Sequence, residues 1–265
     1  MIYVSKPKQK KFVIDLNCDI GQSFGVYKNE SELNITPYVS TLNVSCGMHA
    51  GDPLSIMDVL SQFDAKKYAI CAHIGYPDLQ GFGYREMNLS KEEMKALVLY
   101  QLGALEALAK VNHLEVEYVR AHGALYKQSA KDYSVLINIL EAIKSYNPWL
   151  IYIGAHSEAL AKASAETDIR VAHELMLDKV FTVDGEMDFD KEDVDNINYS
   201  SNQLELILNR SMVRNSEGGL TKIKCDTIHL GSKSKLSEEI AKKAHGMLEN
   251  TVPVAVAKVA SSGWL

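Results

Sequence analysis

Histidines, carboxylates and an arginine recur in this chain where apolar runs give way to polar residues. The stretch NVSCGMHAGD at 43–52, for example, contains His49 and ends in Asp52. The other such positions are Asp15, Asn17, Asp19, His73, Arg120, His122, Glu174 and His229. Aspartate with two or three histidines is a ligand set for Zn, Mn or Co, and such a metal would polarise a carbonyl and activate water. Without a metal, the same side chains could act as general acid and base, and Arg120 could hold a carboxylate or phosphate.

Some of these residues also have a structural interpretation. Asp52 directly precedes Pro53, the order expected of a helix N-cap followed by the first helical residue. Asp15 and Asn17 could hydrogen-bond to amides of neighbouring loops. Histidines within or beside predicted helices are interpreted as structural or solvent-exposed; these are His113, His156, His173 and His245.

The elements that must position these side chains alternate between strands and helices. Eight strand-like runs are predicted, at 12–17, 41–46, 67–73, 116–122, 149–155, 169–174, 226–231 and 252–259. Helical patterns follow most of them, one opened by Pro53, one by the capping box of Ser90 and Glu93, and others near 131–145, 157–166, 200–214 and 236–248. This alternation favours parallel strands in an α/β barrel, complete or slightly open, with a doubly wound open sheet as the alternative. Because the carboxyl ends of parallel strands meet on one face, the polar residues are expected at one rim.

Composition limits the classes of function. We expect one barrel domain over 1–265, with 1–11 a flexible lead-in. The formal charge of −6 argues against nucleic-acid binding, and the chain has no apolar run long enough for a bilayer and no secretory leader pattern. The four cysteines form no CxxC pair, which favours a cytoplasmic protein with reduced thiols. Standard phosphate-binding loops and the GxSxG motif are also absent.

Six segments occur in an order that identifies a family. They are DLNCDIGQ, NVSCGMHAGD, CAHIGYPD, GFGYREM, YQLGAL and VRAHGALY, all between about residues 13 and 126. They resemble the motifs of the LamB/YcsF family. The resemblance implies a seven-stranded (β/α) barrel-like fold of the glycoside hydrolase/deacetylase type. It also implies an ATP-dependent 5-oxoprolinase component that cleaves the lactam of 5-oxoproline to glutamate together with subunits B and C.

The resemblance and the strand-end positions together give the expected site. The expected catalytic residues are Asp15, Asp19, His49, His73 and His122. The expected substrate-binding residues, suited to a small anion, are Asn17, Asp52, Arg85, Arg120, Tyr126 and Glu174. ATP with Mg is expected to act through the complex. If a divalent transition metal is present, Asp19, His49 and His73 are its expected ligands.

Several positions depart from the family pattern. Gln22 stands where the family has Glu, Tyr84 and Arg120 where it has Arg and Lys, and Ser232 where it has Asp. These changes fall at expected site positions, so two alternatives stay open. One is a metal-dependent hydrolase or deacetylase of the same barrel superfamily. The other is a non-catalytic paralogue that binds a small anion.

Overall fold

Parallel β-strands close into a seven-stranded barrel at the centre of the molecule. The computed structural model describes residues 14–231 and 236–251. The barrel strands are β1 (Asp15–Ile20), β2 (Thr41–Ser45), β3 (Ala69–Ile74), β4 (Val116–Ala121), β5 (Ile151–Ala155), β6 (Val171–Met176) and β9 (Thr227–His229); β7 (Met212–Arg214) and β8 (Leu220–Lys222) form a separate antiparallel hairpin. Strand β9 pairs with both β6 and β1 and so closes the barrel. The predicted seven-stranded barrel is confirmed, and the open sheet is excluded.

Helices connect the strands, as parallel pairing requires. They are α1 (Pro53–Leu60), α2 (Lys91–Val111), α3 (Gly123–Lys131), α4 (Tyr133–Tyr146), α5 (Glu158–Thr167), α6 (Ile197–Arg210) and α7 (Ser237–Thr251), and short 3-10 turns span Glu30–Asn34 and Thr36–Tyr38. Their apolar faces pack on the barrel in one large core that includes Leu42, Leu102 and Ile139. In the described ranges, no helix has the length and apolar content that crossing a bilayer requires.

The helix ends show which sequence signals were sufficient. The predicted capping box is present, since Ser90 Oγ accepts from the Glu93 amide and the Glu93 carboxylate accepts from the Ser90 amide. Helix α3 was not predicted, because it begins directly after a strand and its N-cap, His122, makes no side-chain capping bond. The helix predicted near 200–214 begins and ends earlier than expected, at Ile197 and Arg210. Helix α6 stops at Ser211, which adopts a left-handed conformation with φ of 52°.

Three predictions fall on residues without a structural description. They are the flexible lead-in at 1–11, the strand at 252–259 and the substitution at Ser232, all outside the described residues.

The interior of the barrel has an apolar wall and a polar wall. Side chains on strands β3 to β6 form the apolar wall deep in the barrel; they are Ala69, Cys71, Tyr118, Ile151, Ile153 and Ala172. Strands β1, β2 and β9 instead bring Asp15, Thr41 and Thr227 together. Because successive strand residues face opposite sides, the next inward position on β1 is Asn17 and the last is Asp19. The polar wall therefore runs along β1 from its first residue to the carboxyl ends of the strands.

The sequence led us to expect Asp15 at the end of β1, but the residue lies at the start of that strand. Its buried carboxylate accepts hydrogen bonds from the hydroxyl groups of Ser40, Thr41 (2.8 Å) and Thr227 (2.5 Å). Burial raises the pKa of Asp15 from 3.8 to about 6, although these three hydroxyl groups oppose the shift. Asp15 is therefore a structural group below the site.

The raised pKa of Asp15 predicts a specific pH dependence of stability. An acid whose pKa is higher in the folded state stabilises the fold below its unfolded pKa and loses that contribution as the pH rises through the folded value. Asp15→Asn is neutral at every pH and does not lose this contribution. As the pH rises from about 4 to about 7, its free energy of unfolding should therefore increase by up to about 3 kcal/mol relative to that of the native chain. Urea denaturation at a series of pH values measures the difference.

Asp132→Asn is the matched control, because Asp132 is an exposed helix cap and Asn caps helices equally well. Asp132→Asn should change the free energy of unfolding by less than about 0.5 kcal/mol at every pH. A free-energy difference between Asp15→Asn and the native chain that does not change with pH would contradict the assignment.

Candidate active site

A cavity of about 240 Å³ opens at the carboxyl ends of the barrel strands. It is lined by Asp19, Gln22, Tyr84, Arg120, His122, Gly123, Tyr126, Lys127, Met176, Asp178, Lys179, Phe189, Asp193, His229, Gly231 and Ser237. The volume is smaller than the roughly 300–1,000 Å³ of sites for drug-sized ligands, so a small metabolite is the appropriate size of occupant. The position is the one at which parallel β/α barrels carry their active sites.

Asp19 is the carboxylate on the floor of this cavity. Its Oδ1 lies 3.5 Å from His73 Nδ1 and 3.6 Å from Arg120 Nη1, and its Oδ2 lies 3.8 Å from His229 Nε2. Asn43 Nδ2 donates to Asp19 Oδ1 at 3.0 Å. Burial acts to raise the pKa of Asp19, but the nearby histidines and Arg120 outweigh it and hold the pKa well below its ordinary value. Asp19 is therefore an ionised acceptor at neutral pH.

Arg120 is held from below by a buried carboxylate. Its Nε and Nη2 donate to the Glu174 carboxylate at 2.8–3.0 Å, and Tyr126 Oη donates to the same carboxylate at 2.7 Å. The guanidinium also lies over the Tyr126 ring, 4.7 Å from its centroid. Burial disfavours the charge of Glu174, yet Arg120 keeps the pKa of that carboxyl below its ordinary value. The two-donor edge of Arg120 is thus occupied within the protein.

The guanidinium fixes the proton of His73. Arg120 Nη1 lies 3.0 Å from His73 Nε2, and a guanidinium can only donate hydrogen bonds. His73 Nε2 must therefore be the acceptor, which places the ring proton on Nδ1, facing Asp19. Burial also lowers the pKa of His73 well below its ordinary value, in agreement with a neutral ring.

A second chain of hydrogen bonds fixes the proton of His229. Asn17 Nδ2 donates to Glu174 Oε1 at 3.0 Å, so the amide oxygen of Asn17 faces the other way. That oxygen lies 2.9 Å from His229 Nδ1, which must donate to it. When the ring is neutral, His229 Nε2 is then an unprotonated nitrogen beside Asp19. Burial lowers the pKa of His229, which favours this neutral form.

His49 and His122 form a stacked pair, with His122 lining the cavity and His49 fully buried. Their rings are nearly parallel, with centroids 3.9 Å apart and 8° between the planes. His122 Nε2 donates to the carbonyl of Phe82 at 2.8 Å, which ties the GFGYRE loop to the end of β4. Two glycines make room for the stack, since a Cβ at Gly75 would lie 2.5 Å from His49 Nδ1 and one at Gly83 would lie 2.8 Å from His122 Cδ2.

The three histidines do not fit one metal ion in this arrangement, although ligand atoms of His49, His73 and His122 all lie within 4.8 Å of one another. A metal binds in the plane of an imidazole at about 2.0–2.1 Å, and two parallel rings 3.9 Å apart cannot both direct a lone pair to the same point. Within the expected ligand set of Asp19, His49 and His73, the guanidinium of Arg120 already supplies a cation beside two members. The three histidines together therefore do not form a metal site in this arrangement.

The structure brings some of the expected residues to the cavity and places others elsewhere. The expected residues that line the cavity are Asp19, Arg120, His122 and Tyr126. Fully buried behind these residues are Asn17, His49, His73 and Glu174. Asp52 and Arg85 lie outside the cavity.

Asp52 caps α1 by accepting from the amides of Leu54 and Ser55, as its structural interpretation proposed. Arg85 bonds to Asp78 on the rim of a separate depression. A role for either residue in substrate binding finds no support in these positions.

Other cavity residues were not selected from the sequence. His229 had been recognised at a strand end, and that position was the signal that could have added it to the site. Lys127 comes directly after the VRAHGALY segment, whereas Asp193 belongs to an irregular acidic stretch with no local signal. Gln22 and Tyr84, two of the departures from the family pattern, both line the cavity. The carboxylate of Glu32 accepts a hydrogen bond from the backbone N–H of Gln22 at 3.1 Å, so a carboxylate remains beside Gln22.

The fold and the cavity define a β/α-barrel protein with a carboxylate–imidazole site at the carboxyl ends of its strands. The chain belongs to the LamB/YcsF family, whose model matches residues 14–261. It is 36% identical over 236 residues to the A subunit of 5-oxoprolinase from Bacillus mycoides, covering 88% of this chain and 93% of that protein. It is also 36% identical over 220 residues to the protein of the same name from Acinetobacter baumannii, covering 82% and 87%. The crystal structure of the lactam utilization protein from Thermus thermophilus matches with a TM-score of 0.83 at 30% identity, over 90% of this chain and 97% of that one.

The buried ion pair predicts the effect of removing its anion. Glu174→Gln leaves the guanidinium of Arg120 without its carboxylate partner, so the free energy of unfolding should fall by about 3–5 kcal/mol. Urea denaturation measures it. The matched control is Glu166→Gln, because Glu166 is half-exposed and its contacts with Tyr133 and Lys162 lie at the surface. This substitution should change the free energy of unfolding by less than about 0.5 kcal/mol. Equal costs for the two variants would show that Arg120 does not depend on Glu174.

The stacked histidines predict the metal content. Chain purified without a histidine tag should contain far less than one Zn, Mn, Co or Ni per molecule, and adding these ions should not raise its unfolding temperature. Mass spectrometry of the elements and thermal denaturation measure the two quantities. One tightly held metal per chain, lost in His73→Ala, would contradict the geometric argument.

Proposed function

We propose that this chain is the A subunit of a 5-oxoprolinase and that it carries the site at which the lactam of 5-oxoproline is opened to glutamate. The similarity to 5-oxoprolinase A subunits over most of their length supports this role. The observation that carries the proposal is the ionised Asp19 carboxylate, presented to a small cavity beside the unprotonated Nε2 of His229.

The two acceptors on the cavity floor suit a water molecule. Asp19 Oδ2 and His229 Nε2 lie 3.8 Å apart, and neither has a hydrogen to offer the other when the ring is neutral. A water that donates to both would be oriented for attack on the lactam carbonyl carbon. As the new C–O bond forms, His229 Nε2 takes the proton from the water and Asp19 stabilises the resulting imidazolium.

Ring opening also requires a proton on the departing nitrogen. The C–N bond breaks as the ring nitrogen is protonated, and the imidazolium of His229 can return the proton it took from water. Glutamate then carries a new carboxylate and an amino group. Opening of the ring itself uses one water.

A five-membered lactam is a stable amide, which is why we assign a role to ATP. Phosphorylation of the lactam oxygen would make the carbonyl carbon more reactive towards water. Cleavage of the C–N bond would then leave an acyl phosphate, which a second water would hydrolyse to glutamate and phosphate. We assign this step, with Mg, to a complex with subunits B and C. The free thiols of all four cysteines agree with a cytoplasmic complex.

The test is reconstitution of the chain with its B and C subunits. Glutamate release from 5-oxoproline, dependent on ATP, is the expected result. In that complex, Asp19→Asn should lower kcat by about 10²- to 10⁴-fold, because the amide can neither orient the water as a charged acceptor nor stabilise the imidazolium.

Asp132→Asn again is the matched control, since it makes the same substitution at an exposed helix cap away from the cavity. Its kcat should equal that of the native chain. Full activity in Asp19→Asn would refute the assigned role of Asp19. No glutamate from a verified, ATP-hydrolysing complex would refute the proposed function and favour the non-catalytic paralogue.

A further inference from the structure

The cavity floor carries a net negative charge. Asp19 and Glu174 are ionised, both lie within 3.6 Å of the guanidinium of Arg120, and His73 and His229 are neutral. Two carboxylates and one guanidinium leave one net negative charge. A substrate carboxylate placed on this floor would meet repulsion, since the Nε–Nη2 edge of Arg120 is bonded to Glu174 and its Nη1 donates to His73. An anionic group of the substrate must therefore bind elsewhere in the cavity.

Two further cations line the cavity, and one of them is already paired. Lys179 forms an ion pair with Asp193 and lies over the ring of Phe189. Lys127, on α3 directly after Tyr126, lines the same cavity and is half-buried. Within 14–231 and 236–251, no ion pair or hydrogen bond of the Lys127 ammonium is found. The carboxylate of Asp190, which is close enough to feel Lys127, is instead bonded to Lys131 at 2.6 Å.

Resting on the proposed function, we propose that Lys127 binds the carboxylate of a small monoanionic lactam and so orients the lactam ring towards Asp19 and His229. Tyr126 and Phe189, with ring centroids 5.8 Å apart, lie on the same cavity wall and offer aromatic surface to the ring methylenes. The negative charge on the cavity floor repels the carboxylate of the substrate, and Lys127 attracts it. Both effects therefore favour the same orientation of the lactam. Lys127 is in this sense a determinant of substrate class.

The experiment compares an acid with its neutral amide. Calorimetry on the full-length chain measures the affinity for 5-oxoproline and for 5-oxoprolinamide, which differ only in the group that Lys127 would bind. Lys127→Met should weaken binding of the acid by about 10- to 100-fold, the range expected for loss of a hydrogen bond to a charged group. Binding of the amide should change by less than about 2-fold, because the amide carries no charge for the lysine to attract.

Two further variants test the role of charge and position. Lys127→Arg keeps the charge on a longer side chain and should retain the preference for the acid, with binding within about 5-fold of the native chain. Lys144→Met removes an exposed lysine from the last turn of α4, outside the cavity lining, and it should leave both affinities unchanged. In the reconstituted complex, Lys127→Met should raise KM for 5-oxoproline and leave kcat within about 3-fold, as expected when binding that does not change during the reaction is lost.

The outcomes separate this inference from the proposed function. A second matched pair, cyclopentanecarboxylate and cyclopentanecarboxamide, tests the carboxylate preference without a lactam. If the complex makes no glutamate but the chain prefers carboxylates in a manner that depends on Lys127, the function fails and the inference stands. If the native chain shows no preference for acids, or if Lys127→Met weakens acid and amide equally, the inference is overturned even in an active complex.

Discussion

The buried ion pair between Arg120 and Glu174 is the interaction on which the rest of the site depends. Glu174 can only accept hydrogen bonds, so it orients both the guanidinium of Arg120 and the side-chain amide of Asn17. Those two groups in turn decide which nitrogen carries the proton on His73 and on His229. Two imidazoles that flank one carboxylate thereby acquire opposite roles, one as donor and one as acceptor.

The same ion pair explains why the cavity presents a carboxylate and an imidazole and not an open arginine. A buried guanidinium is costly unless its donors are satisfied, and Glu174 accepts from the guanidinium of Arg120. Tyr126 in turn donates a hydrogen bond to the Glu174 carboxylate. The cost of burial is offset inside the protein, so the charge of Arg120 serves to keep Asp19 ionised. Recognition of an anionic substrate then falls to a different cation on the cavity wall.

Local signals predicted much of the fold because they depend on near neighbours in the chain. Alternation of apolar runs with helical patterns predicted the parallel barrel, and the residues at Ser90 and Pro53 predicted two helix starts. Helix α3 had no such signal, since it starts where β4 ends and has no capping side chain. Asp15 was misplaced because a short apolar run does not show where its first hydrogen-bonded residue lies.

The sequence by itself determined the barrel, the family and the set of polar side chains at the strand ends, because residue order and period-two alternation suffice for these. It could not decide which members of that set reach the cavity. Asp52 and Arg85 matched family motifs, yet a helix cap and a surface ion pair engage them, whereas His229 closes the site from the last barrel strand. Only the tertiary structure settles charge pairing and proton position, because both depend on partners that lie 47 to 212 residues apart in the chain.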